Sequence, residues 1–339
     1  MAYLWAAILL YLIMGGADFG AGIIELMSSE RNQRRIRKTM YQAIGPIWEA
    51  NHMWLIITIV VLFVGFPLIY TTVSTYLHIP LVIMLFGIIA RGTAFAFRHY
   101  DAVQDGMLRV YNKIFVYSSF VTPLFLGIIA ASAVSGRIDA HADNFLDAYI
   151  FSWLNVFSIA VGAFTISICG FLAAIFIIGE TENEIDRMRY VRKAKHMNFA
   201  AAITGILVFV AAYFDEVPLL RWVFGNAISA GAIIAAAISL AALWYFIKHR
   251  NNRIIRVLAG FQVAMILLAI TYTHYPNIIL LKGGEQLSLI ETAGHEKTIQ
   301  SLAIALLLGS VFILPALVYL LYSFHNKKAD EFIAGSKQP

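Results

Sequence analysis

The chain has 339 residues, 60% of them hydrophobic and 13% charged, with a formal net charge of +5. Soluble domains carry nearer a quarter charged residues, so a pair of soluble domains is excluded in favour of one integral membrane domain over 1–339. The surplus of Lys and Arg reads as a membrane-face bias rather than a nucleic-acid footprint. A single cysteine, Cys169, lies inside an apolar run, which rules out an intrachain disulfide and a cysteine-built metal site.

Spans need about 20 apolar residues each. Nine runs qualify, at 3–26, 46–68, 76–97, 114–134, 150–178, 198–214, 225–247, 254–273 and 300–323. The first lacks a basic n-region and is too long for a signal sequence, so it reads as a retained helix. The first connection, "SSERNQRRIRKTM", holds five Lys or Arg, and the second, "FPLIYTTVSTYLH", holds none. The third, from Arg98 to Lys113, is basic, and "SGRIDAHADNFLDAY" is acidic. Arg187, Arg189, Arg192, Lys193 and Lys195 mark the fifth, and "KHRNNRIIR" the seventh. The eighth and longest, "THYPNIILLKGGEQLSLIETAGHEK", is weakly charged. Odd connections and the C-terminus therefore belong in the cytoplasm and the N-terminus outside. The fold class is an all-α polytopic membrane protein with nine transmembrane helices.

Ionisable residues inside the spans gather in the first three: Asp18 and Glu25, then Glu49 and His52, then Arg91. Such groups are costly at bilayer depth and mark function or pairing. Asp18 and Glu25 are seven residues apart, on one helix face and about 10 Å apart along the axis. Gly16 and Gly20 form a G-x-x-x-G pair that admits a second helix closely. Asp18 reads either as a packing and capping group or as a proton carrier. Glu49 follows Pro46 in the first turn of its helix, where the helix dipole favours an anion. His52, one turn on, reads as a hydrogen-bonded core histidine or as a ligand. Of nine histidines it is the one placed well inside a span, so a bis-histidine haem site has no obvious second ligand. Asp139, Asp143 and Asp147 read as a solvated outer loop. No metal or nucleotide motif occurs.

The segments "GGADFGAG", "IGPIWEANHMWLI", "FP" and "ARGTAFAFRH", in that order, resemble subunit II of the cytochrome bd-type quinol oxidases. The resemblance covers the whole chain. It implies two four-helix bundles plus a peripheral helix, in a complex that oxidises quinol and reduces oxygen to water. Two b-type haems and one d-type haem are then held by subunit I, and this chain holds no cofactor. The implied partners are that haem-bearing subunit, membrane lipid and quinone, with room for a small single-helix subunit and no nucleic acid. By position, Asp18 and Glu49 match acids on a cytoplasmic proton route. Some family members carry a further acid where this chain has Met14, so a relay here would use Glu25 or His52 instead. On this reading Glu49 lies about 5 Å and Asp18 about 12 Å inside the cytoplasmic helix ends. A carboxylate in a low-dielectric site can exchange protons near neutral pH. The competing class is an ion- or proton-coupled secondary transporter. It predicts polar, broken helices in both halves, and the second half is nearly uncharged at depth.

Overall fold

The computed structural model describes residues 1–28, 48–100, 105–181 and 183–335; the side chains of 48–50, 99, 100, 105, 180 and 320–335 are outside the description. Twelve helices and a two-stranded hairpin follow in chain order. They are α1 (Ala2–Leu26), α2 (Trp48–Gly65), α3 (Pro67–Tyr76), α4 (His78–Tyr100), α5 (Asp105–Val134) and α6 (Phe145–Tyr149). After these come α7 (Val156–Glu180), α8 (Glu184–Phe214), α9 (Leu219–Phe224), α10 (Ala227–Lys248) and α11 (Asn252–His274). Strands β1 (Asn277–Leu280) and β2 (Gln286–Ser288) precede α12 (Glu296–Gly335). Eight of these helices are long and apolar enough to cross a membrane, or nine when α2 and α3 are taken as one bent span.

Eight of the nine expected spans match helices of spanning length, with altered limits, and the remaining one, the second, falls in the bent pair. The second bends by 116° at Phe66, and the connection beyond it is the helix α3 rather than a loop. Pro67 explains the break, because a proline disfavours helical torsions in the residue before it and Phe66 adopts φ −138°. The expected spans at 114–134 and 198–214 are the ends of longer helices, α5 and α8. Their basic first turns are helical and not part of the connections. The connection expected from Arg98 to Lys113 is likewise mostly helix, with Arg98 on α4 and Arg109 and Lys113 on α5. The expected span at 150–178 starts at Val156, where Asn155 caps α7 by accepting from Ser158 N at 2.8 Å.

Helix α7 is the organising element. It packs on α1, α5, α8 and α11, and its residues from Phe171 to Ile178 supply a third of the buried residues of the largest apolar cluster. Helices α4 and α5 pair, as do α10 and α11, and α2 packs on the first half of α1. The apolar part of α12 is not buried at all within the chain and touches α2. On the face bearing Asp139, β1 and β2 form an antiparallel hairpin, closed by Gly283 and Gly284 at φ +91° and +89°. Both torsions favour glycine. Ile138 bridges to Leu281 beside it.

Candidate functional site

Three charged residues are fully buried among the described ones, Asp18, Glu25 and Arg91, each 1% exposed. Together with Arg98 they form two stacked ion pairs between α1 and α4. Arg91 Nη1 donates to Asp18 Oδ2 at 2.6 Å, and Nη2 donates to Asp18 Oδ1 at 2.7 Å and to the Asp18 carbonyl at 2.8 Å. The remaining guanidinium donor, Nε, meets Ser119 Oγ of α5 at 3.0 Å. One turn pair nearer the end of α1, Arg98 Nη2 donates to Glu25 Oε2 at 3.0 Å. Both pairs span 73 residues of chain. The acids are seven apart on α1 and the arginines seven apart on α4, so where the two helices run parallel one register forms both pairs at once.

Local packing explains how the seam closes. Phe115 of α5 lies between the two guanidiniums, 4.8 Å from Arg91 and 4.4 Å from Arg98, and Phe19 faces Arg91 at 5.2 Å. These ring faces add cation–π attraction to the ion pairs. On the opposite side of α1 the glycines bring in α7. A Cβ on Gly20 would run into the Cys169 carbonyl, and one on Gly16 would lie 3.3 Å from Leu172 Cδ1. Cys169 is a buried free thiol in this contact. Gly22 faces Ser119 of α5 with equally little space. Lys193 of α8 closes the end of α1 by donating to the Ile24 carbonyl at 3.0 Å and to Ser28 Oγ, a cation at a helix C-terminus.

Of the residues singled out in the sequence, the structure brings Asp18, Glu25 and Arg91 into one seam. His52 sits beside it, its ring 6.1 Å from Phe19 and 6.4 Å from Tyr11. The side chain of Glu49 is outside the described residues, as is the basic first connection. Arg98 was read as a loop residue, and it is a partner of Glu25. Ser119, Phe115 and Tyr11 carry no charge signal in the sequence, yet all three line the site. His274, placed at a helix end, is also buried, with Nδ1 2.8 Å from the Ile270 carbonyl and its ring 4.4 Å from Trp222. Among the described residues no group of three His, Cys, Asp or Glu is arranged to hold a metal ion.

The molecule is thus a multi-pass helical membrane protein whose buried charge is concentrated in one seam of paired acids and arginines. The sequence profile of cytochrome bd terminal oxidase subunit II matches residues 1–324. The chain belongs to that family and is a multi-pass bacterial membrane protein, subunit II of a terminal oxidase. It is 23% identical over 333 residues to the cytochrome bd ubiquinol oxidase subunit 2 of Bacillus subtilis, covering 96% of each chain. Over 60% of its length it is 23% identical to the cytochrome bd-I ubiquinol oxidase subunit 2 of Escherichia coli, covering 54% of that protein. A chain in the structure of bd oxidase from Geobacillus thermodenitrificans superposes with a TM-score of 0.74 at 18% identity, covering 95% of this chain and 96% of that one. This last likeness concerns the fold.

Proposed function

We propose that this chain is the haem-free subunit of a quinol-oxidising, oxygen-reducing complex, supporting a haem-bearing subunit I and conducting cytoplasmic protons toward it. The observation that carries the reading is the seam of buried charge in α1 and α4, in a chain of this family. Buried ionisable groups are kept in spanning helices where they serve pairing or a charge pathway. Reduction of oxygen to water consumes protons at a buried site, and hydrocarbon does not conduct them.

In this reading α1, α2, α4 and α5 form one four-helix bundle and α7, α8, α10 and α11 the other, with α12 peripheral. The packing of α1 on α2 and α5, of α4 on α5, of α7 on α8 and α11, and of α10 on α11 supports that grouping, with α7 also joining the two bundles through α1 and α5. The N-terminus is outside and the C-terminus cytoplasmic. Arg192, Lys195, Lys248 and Arg253 at the exposed ends of α8, α10 and α11 favour the cytoplasm. Asp139, Asp143, Asp147 and Glu285 favour the other side. Quinone and lipid surround the complex, and two b-type haems and one d-type haem reside in the partner.

Within the seam the residues have different tasks. Asp18 is held on three sides by Arg91 and serves chiefly to neutralise it. Glu25 accepts from Arg98 Nη2 at 3.0 Å and sits nearer the end of α1, which suits it better to proton exchange. Glu49 and His52 enter from α2. The test is purification of the native complex. It is expected to contain a haem-bearing subunit, to consume oxygen with quinol, and to lose all visible absorption from this chain once the subunits are separated. A stoichiometric haem spectrum on the separated, folded chain refutes the haem-free assignment. For proton delivery, Glu25→Gln and Glu49→Gln are expected to slow oxygen consumption per haem by about tenfold. Normal turnover in both refutes that role.

A further inference from the structure

The polar stripe of α1 does not stop at Asp18. Tyr11 lies seven residues before Asp18, as Asp18 lies seven before Glu25, so its Cα is about 10 Å further from the end bearing Glu25. Residues Tyr11–Gly15 form a π turn. From this turn the Tyr11 side chain reaches α2. There the Tyr11 ring stands 6.4 Å from His52 and packs in one cluster with Phe19 and Trp54.

Three polar atoms of α1 and α2 are buried and find no hydrogen-bond partner among the described residues: Tyr11 Oη, Asn51 Oδ1 and Trp54 Nε1. Their residues are 4%, 1% and 7% exposed. Asn51 and Trp54 are three apart on α2 and share a face. Buried polar groups in native proteins are almost always paired with protein or ordered water. Here the set is complementary. The indole N–H only donates, the amide oxygen only accepts, and the hydroxyl does both. A buried water needs two to four such partners.

We propose that internal water bridges Tyr11, Asn51 and Trp54, and that this hydrated step carries protons onward from the level of Asp18 past His52. The proposal rests on the proton-delivery reading above. In each hop the Tyr11 hydroxyl accepts a proton on its oxygen lone pair from one water and releases its own proton to the next. The residue stays neutral and nothing is oxidised. Such a step needs no extra acid at Met14.

The test uses the purified complex with Tyr11→Phe, which keeps the ring and removes only the hydroxyl, and Trp54→Phe, which removes the indole N–H. If water is bonded there, each substitution lowers the melting temperature. Oxygen consumption per haem at saturating quinol then falls by about tenfold, and the rate ratio between H2O and D2O rises, with the haem spectrum unchanged. A dry, unbonded hydroxyl predicts the opposite. Tyr11→Phe would then raise the melting temperature and leave turnover alone, which overturns the proposal. A lowered melting temperature with turnover and isotope ratio unchanged also overturns it, because the water would be structural. Glu25→Gln and Glu49→Gln in the same series separate the two ideas. If they slow turnover and Tyr11→Phe does not, delivery stands and the hydrated step falls. If none of the four changes slows turnover, delivery itself fails.

Discussion

Asp18 and Asp139 each meet one basic side chain at hydrogen-bond distance, Arg91 at 2.6 Å and Lys282 at 2.8 Å. On distance alone the two pairs are equivalent. Their surroundings are not. The side chains of Asp18 and Arg91 are 0% and 1% exposed, and Lys282 is 63% exposed. Water around Lys282 screens the attraction and solvates either partner when the other is removed. Inside the α1–α4 seam nothing does so. There the pair is worth little relative to two apolar residues of the same size, but a single stranded charge is very costly. The outer face therefore uses ion pairs as dispensable ties, and the seam uses them as an obligate match.

The comparison breaks most sharply at Asp18. Asp18→Asn leaves the Arg91 guanidinium buried without its counter-charge, at a cost of about 3–5 kcal/mol. The expected result is a large fall in the yield of assembled complex, measured as haem per membrane protein. Asp18→Leu combined with Arg91→Met removes both charges and is expected to recover most of that yield. If Asp18→Asn instead assembles normally and only slows turnover, the pair is not an obligate match and Asp18 is a proton carrier. Gly20→Val tests the same seam from its other side. A branched side chain would push α1 off the Cys169 carbonyl of α7, and loss of assembly on a comparable scale is expected, since backbone cannot yield as a flexible side chain does.

An intermediate case is Asp215. Its Oδ1 accepts from Arg137 Nη2 at 2.9 Å and its Oδ2 from Phe157 N at 2.6 Å. The second bond satisfies a backbone donor in the first turn of α7. Asp215→Ala is expected to cost about 1–2 kcal/mol, the usual worth of a helix cap. Arg137→Ala removes only a part-exposed partner, 40% exposed, and is expected to cost under about 1 kcal/mol. Thermal unfolding of the purified complex, followed by tryptophan fluorescence, would rank them. Equal losses would mean that the ion pair, not the cap, holds this corner.

Much of the seam was legible in the sequence. Asp18, Glu25 and Arg91 stand out because charge inside an apolar run is costly at that depth and marks pairing or function. What the sequence also contained, and a charge count misses, is the shared period: two acids seven apart and two arginines seven apart. Arg98 was lost to that pattern because basic residues at span ends look like loop residues under the positive-inside rule. Phe115, Ser119 and Tyr11 were not legible, since a serine or an aromatic in an apolar helix is ordinary until its neighbours are known. The same limit hid α3 and the hairpin. "NIIL" and "QLS" are too short to show a period, and α3 is polar enough to pass for a loop.

The smallest expected effect lies where the comparison began, at Asp139 and Lys282. Asp139 is held below the usual carboxylate range, first by its hydrogen bond from Lys282 and then by the His141 backbone N–H. Lys282 is raised by the same bond. The signs fix the window. A lowered acid contributes stability above its unfolded-state value, lost as pH falls through the lowered value. A raised base contributes below its unfolded-state value, lost as pH rises through the raised one. Across the neutral range both are charged and the tie is constant, so Lys282→Gln should leave pH-dependence there unchanged. It should also make the melting temperature less sensitive to added salt, because the bond it removes is the screened kind. The contrast is with the seam, where salt should not matter. If 0.5 M salt, roughly a several-fold rise over physiological ionic strength, lowers the melting temperature of wild type and Lys282→Gln alike, the salt-sensitive tie is elsewhere. If it lowers neither, the outer pair contributes nothing measurable, and the hairpin is held by the backbone contact between Ile138 and Lys282 N at 2.8 Å and by burial of Ile138, Ile279 and Leu281.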